Sequence, residues 1–172
     1  MLKIVGSVLV IMACTLAGRG VARTYAERPR QLRYWQSALL ELEAEIVYGA
    51  VPLSQALSRL KVRGDPLVAG FYEQVVTELT GSRGATMGEV WHKVLQRWQE
   101  KTCLTSDDVD ILATLGKALG TSDRQQQQKH LLLAREQLAL EEAKAWDTAA
   151  RTVKPWNYFG LLGGMAIVLI LI

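Results

Sequence analysis

The chain has 172 residues, 49% of them apolar and 22% charged, with a net charge of +3. That length holds one ordinary domain plus anchoring segments, and so small a charge excludes the strongly basic balance of a nucleic-acid-binding protein. Two cysteines, Cys14 and Cys103, exclude a disulfide framework and fit a reducing compartment.

Residues 4–18 are an uncharged run. With Leu2 before it and Gly20, Val21 and Ala22 after Arg19, the apolar stretch reaches about 20 residues, or about 30 Å as a helix, provided Arg19 snorkels. Three readings compete for it: a transmembrane helix, a cleaved signal peptide, and a lipoprotein signal in which Ile11-Met12-Ala13-Cys14 loosely matches a lipobox. Arg19, Arg23, Arg28, Arg30 and Arg33 follow the run, and Lys3 precedes it. Positive charge resists export, so this asymmetry places the following domain in the cytoplasm and the N-terminus outside.

From Pro29 to Gly49 the pattern is helical. Leu32, Trp35, Leu39, Leu42 and Ile46 recur at spacings of three and four, which puts them on one stripe. Gly49 is expected to supply a left-handed stop, and Pro52 to open a short helix through Leu53, Leu57 and Leu60. Asp65-Pro66 then reads as an N-cap with proline at the first helical position. The helix it starts carries Leu67, Phe71, Val75 and Leu79 and ends at Gly81. Thr86 to Glu89 is a capping box ahead of Val90, Trp91, Val94, Leu95 and Trp98. The next helix starts at residues 104–107, carries Ile111, Leu112, Leu115 and Leu119, and ends at Gly120. The last is capped by residues 121–123 and passes through Leu131, Ala134, Leu138, Ala145 and Ala149 toward Lys154.

Pro155 is expected to interrupt that helix. Trp156 and Tyr158 stand where an interfacial aromatic belt would lie. Residues 158–172 are apolar to the last residue and would span about 22 Å as a helix, so Trp156 and Asn157 enter the bilayer or the bilayer thins. Arg135, Lys144, Arg151 and Lys154 precede this run, which again favours a cytoplasmic approach. The expected fold is therefore all-α: an antiparallel bundle of about six helices flanked by N- and C-terminal transmembrane helices. The expected domains are residues 1–22 as the first anchor, 23–154 as the cytoplasmic helical domain and 155–172 as the second anchor.

The sequence offers little chemistry. It has neither a phosphate-cradling loop nor a dinucleotide fingerprint. His92 and His130 have no second His or Cys at ligand spacing. No catalytic, metal or cofactor site is expected. Glu41 and Glu45 are helical neighbours whose repulsion would welcome a basic partner surface, although a solvated acidic face explains them as well. Ala13 with Ala17, and Gly160 with Gly164, are small residues four apart that let helices approach closely in lipid. They suit packing of the two anchors together or self-association into a homo-oligomer.

Longer strings carry a resemblance. Residues 25–31, then 42–49 with Pro52-Leu53, then 115–124 with 127–131, resemble the SpoIIIAB (stage III sporulation protein AB) family of endospore-forming bacteria, and the likeness runs end to end. Gly49, Pro52, Leu53, Ala56 and Leu57, with the 115–120 block, also look like the helical cytoplasmic domain of type II secretion F proteins. The resemblance implies a non-enzymatic membrane platform in the secretion-like channel between mother cell and forespore, required for endospore formation. It implies residence in the mother cell membrane around the forespore, with the soluble domain cytoplasmic and both termini outside. The implied partners are a SpoIIIAA-like ATPase, coupled by the platform to the channel, and other SpoIIIA-type channel components. Within the matching blocks, Glu41, Glu43, Glu45, Asp123 and Arg124 are the candidate partner-binding residues. The rival reading is an exported lipoprotein adaptor in the intermembrane space, distinguished by modification at Cys14.

Overall fold

A computed structural model of the chain describes the backbone of residues 2–49, 51–61, 65–82, 84–120 and 123–171; side chains 2–11, 14, 17, 153–154 and 156–171 are not described. Among the described residues there are six α-helices and no strand: α1 (Leu2–Val47), α2 (Leu53–Leu60), α3 (Pro66–Gly81), α4 (Met87–Gln99), α5 (Ser106–Leu119) and α6 (Arg124–Leu171). The chain divides into two compact units, one formed by Arg30–Glu142 and the other by Met1–Pro29 with Ala143–Ile172.

Two prolines behave differently from the sequence expectation. Pro29 does not start a helix and Pro155 does not interrupt one; each lies inside a continuous helix, α1 and α6. A proline removes one backbone donor and crowds the preceding turn. Helix-forming residues on both sides carry the ladder past it. Gly49 also departs from expectation. Among the described residues only Gly84 has a positive φ, at 91°. A Cβ on Gly49 would lie 2.6 Å from the Glu45 carbonyl oxygen, so glycine is needed there for close approach after the helix, not for left-handed backbone.

In the Arg30–Glu142 unit, the second half of α1 is central. Leu32, Trp35, Leu39, Leu42 and Ile46 are all buried, so the predicted stripe is the core-facing one. On α3 the buried set is Val68, Phe71, Tyr72 and Val75, while Leu67 and Leu79 are half-buried. The helix is thus rotated from the predicted stripe and brings Tyr72 inside. Rings then meet edge to face: Trp35 and Phe71 have centroids 5.0 Å apart, and Phe71 and Trp91 4.8 Å. Such pairs contribute about 0.5–1.5 kcal/mol each beyond the burial of their surface.

The ends of the elements follow local rules. Asp65 Oδ1 accepts from the Leu67 N–H at 2.8 Å and caps α3 ahead of Pro66. Thr86 and Glu89 form the reciprocal capping box of α4. The Thr105 N–H donates to Asp108 at 2.8 Å at the start of α5. Gln31 reaches from α1 to accept from the Cys103 N–H at 2.7 Å and ties down the α4–α5 connection. α1 and α6 run antiparallel in this unit, since Glu43 meets Arg135 while Arg33 and Gln36 meet Glu142.

α4 lies against α5 through Trp91 and Gly116. The Trp91 indole N–H donates to the Leu112 carbonyl at 2.9 Å, and a Cβ on Gly116 would come within 2.1 Å of the Trp91 ring. No rotamer of a fully packed tryptophan can yield that much space. Gly116→Ala is therefore expected to destabilise the full chain by about 1–3 kcal/mol in urea unfolding followed by tryptophan fluorescence. Gly81→Ala, with nothing within 4 Å of its new Cβ, should instead stabilise by about 0.5 kcal/mol.

Between α3 and α4, Glu78 accepts from Lys93 at 2.7 Å and from Arg97 at 3.0 Å. The Lys93 hydrogen bond above all, aided by Arg97, holds the Glu78 carboxyl below its usual range. A depressed folded-state pKa contributes stability that is present above the unfolded value and is lost as the pH falls through the folded one. The stability difference between the native chain and Glu78→Gln should accordingly close on acidification below the ordinary glutamate range. At neutral pH it should shrink in high salt. Urea midpoints measured across pH and salt test both statements.

Candidate functional site

The three glutamates of α1 do not form one continuous acidic face. Successive helical residues turn by about 100°, so Glu43 points away from Glu41 and Glu45. Glu43 faces α6, where Arg135 pairs with it at 3.0 Å and Gln128 donates to it at 3.2 Å. Glu45 faces α2 and pairs with Arg59 at 2.8 Å. Glu41 is exposed and lines a cleft toward α3. Asp123 caps α6 by accepting from the Gln126 N–H at 2.8 Å, and Arg124 is exposed in the first turn. Gln128 lies one turn after Arg124, so this pair of residues belongs with the Glu43 side of α1.

The cleft beside Glu41 has a volume of about 40 Å³. Ser37 and Glu41 from α1, Leu60 from α2, Asp65 from the α3 cap, and Val68 and Tyr72 from α3 line it. Tyr72 is only 1% exposed, and its hydroxyl has no hydrogen-bond partner among the described residues. Burial, and then the nearby Glu41 carboxylate, push the Tyr72 phenol well above its usual range. It therefore stays protonated. A buried hydroxyl left without a partner costs about 1–3 kcal/mol, which makes this one of the few positions in the unit where a ligand group has something to gain. Sequence reasoning missed Tyr72. The signal was there in Val68, Phe71, Tyr72 and Val75, which follow the i, i+3, i+4, i+7 rule as well as the chosen stripe does.

A second, open depression of about 340 Å³ lies at the α4–α5 crossing, lined by Glu89, His92 and Lys117 among others. Glu89 is already committed to the α4 cap, which is why its carboxyl is held low by the Thr86 backbone. His92 is an exposed surface residue beside Gln96.

The stage III sporulation protein AB family model matches residues 3–172. The chain belongs to the stage III sporulation protein AB family. It is 34% identical to stage III sporulation protein AB of Bacillus subtilis (strain 168), over 99% of each chain. A solved structure of stage III sporulation protein AB (SpoIIIAB) superposes with a TM-score of 0.64 at 34% identity, covering 72% of this chain and 97% of that one. The family blocks now have physical content: Gln31 anchors the α4–α5 connection, Gly49 makes a close approach, and Gly116 admits Trp91.

In the other unit the buried described positions are small or cyclic: Gly18, Ala22 and Pro29 on α1, and Ala145 and Ala149 on α6. Gly18 with Ala22, and Ala145 with Ala149, are each four apart, the spacing that lets helix backbones approach closely. Ala13, an expected packing residue, is exposed; the surroundings of Ala17, Gly160 and Gly164 lie outside the described residues. Among the described residues no helix is long and apolar enough to cross a membrane. Most side chains of the two expected anchors lie outside those residues.

The pairing of Glu43 with Arg135 is half-buried on both sides, so it holds the antiparallel α1–α6 contact. Glu43→Arg should cost roughly 1–2 kcal/mol by setting two cations together. Adding Arg135→Glu should recover most of that loss. Thermal unfolding of the two single variants and the double variant measures the coupling directly.

Proposed function

We propose that this chain is a non-enzymatic membrane platform of the sporulation apparatus between mother cell and forespore, required for endospore formation. Residues 1–22 and 155–172 anchor it in the mother cell membrane around the forespore. Residues 23–154 form a cytoplasmic domain that couples a SpoIIIAA-like ATPase to the other SpoIIIA-type channel components. The observation that carries this reading is the family match over residues 3–172, both apolar ends included. The arginines after the first run and the basic residues before the second support the orientation.

The candidate ATPase-facing residues lie on more than one side of the domain: Glu41 at the cleft toward α3, Glu45 toward α2, and Glu43 with Asp123 and Arg124 on the α6 side. Gly160 with Gly164, and Ala17 with the exposed Ala13, are small pairs that suit close helix approach, between the anchors or between copies of the chain. The exported lipoprotein adaptor is the alternative, and it rests on Cys14.

Topology tests the reading. Gly84 is exposed in the α3–α4 connection and already holds a positive φ, so an insertion there disturbs no helix. A fluorescent protein inserted at Gly84 should mature, and a phosphatase active only outside the cytoplasm should stay silent. Phosphatase activity without fluorescence would overturn the platform reading and place the domain where no cytoplasmic ATPase can reach it.

A further inference from the structure

We propose that the cleft between α1, α2 and α3 is a socket for the terminal ammonium of a lysine side chain presented by a docking protein partner. The source of that lysine, a protein docked on this domain, rests on the platform reading. The ammonium chemistry of the socket does not.

Charge comes first. Two acidic residues, Glu41 on α1 and Asp65 at the start of α3, line the same small cleft. Asp65 uses one oxygen to cap α3, and a carboxylate has lone pairs to spare for a second donor. Arg59, a basic residue on α2, is held by Glu45 at 2.8 Å rather than by these acids.

The second and independent observation is Tyr72, which lines the cleft and whose buried hydroxyl has no hydrogen-bond partner among the described residues. Its oxygen can accept from a cationic N–H while its own proton remains to donate. Ser37 adds a further hydroxyl at the rim. An ammonium has three donors and no acceptor, and the socket offers two carboxylates and a phenol oxygen to receive them.

Size and lining choose the kind of cation. A volume of about 40 Å³ corresponds to about three water-sized spheres. That admits an ammonium with the one or two methylenes behind it, and is narrow for the planar fork of a guanidinium. Leu60 and Val68 supply apolar wall for those methylenes.

The test uses the full chain carrying ring-labelled tyrosine, with the Tyr72 resonance assigned by Tyr72→Phe. Three probes are titrated: N-acetyl-lysine-N-methylamide, n-butylammonium and n-butanol. The expected result is a saturable Tyr72 shift with both ammonium probes and none with n-butanol. Binding of the lysine amide should weaken by about fivefold or more in Glu41→Gln, the loss of a charge-assisted hydrogen bond. An equal response to n-butanol would mark an ordinary apolar niche and overturn the assignment. No saturable response to any probe would mark a water-filled cleft and overturn it as well. A response to n-butylammonium but not to the lysine amide would mean a pocket for free amines, and the docking role would fall. The probe comparison uses the unaltered chain, so its outcome does not depend on the variant folding. It is also independent of the reporters at Gly84, so the socket and the platform can fail separately.

Discussion

The contact on which the rest of the Arg30–Glu142 unit depends is the ring cluster seated against Gly116. Trp91 can lie flat on α5 only because residue 116 has no side chain. With Trp91 in place, Phe71 packs on its edge, and Trp35 packs on Phe71. That sequence of contacts sets the depth of α3 and of α1 in turn. The amphipathic stripe of α1 is therefore positioned from the far side of the domain, by a glycine on a helix it need not touch.

Polar groups around this core divide by task. Capping residues such as Asp65, Thr86 and Glu89 close helix ends. Ion pairs such as Glu43 with Arg135 and Glu78 with Lys93 fix neighbouring helices in register. Tyr72 belongs to neither group: it lines the cleft beside Glu41, and its hydroxyl is buried, protonated and without a partner among the described residues.

Much of the fold was legible in the sequence because it is written in local rules. The α1 stripe, the Asp65-Pro66 start and the Thr86–Glu89 box are set by residues within a few positions of one another. Proline was ambiguous for a physical reason. The ring that suits the first turn of a helix is the same ring that breaks an interior turn, and only the flanking context separates Pro66 from Pro29. The candidate site was less legible. That Glu41, Glu43 and Glu45 alternate along α1 is plain from the sequence. Which of them meets Arg59, which meets Arg135 and which is left on a cleft depends on where α2 and α6 lie, and no local pattern carries that. Tyr72 was lost to a rotation of α3 by one position, since two overlapping stripes fit the same helix.

The indole-to-carbonyl bond between Trp91 and Leu112 closes a loop 21 residues apart in sequence, and the Glu43–Arg135 pair one of 92. Loop-closure entropy separates them by about 1.3 kcal/mol in favour of the shorter. On loop closure alone, the α4–α5 contact is the cheaper of the two to form before the rest of the domain is in place. The α1–α6 pairing is the long-range step that waits for nearly the whole domain to be made. Gly116, which makes room for Trp91, therefore lies at the contact with the smaller closure cost.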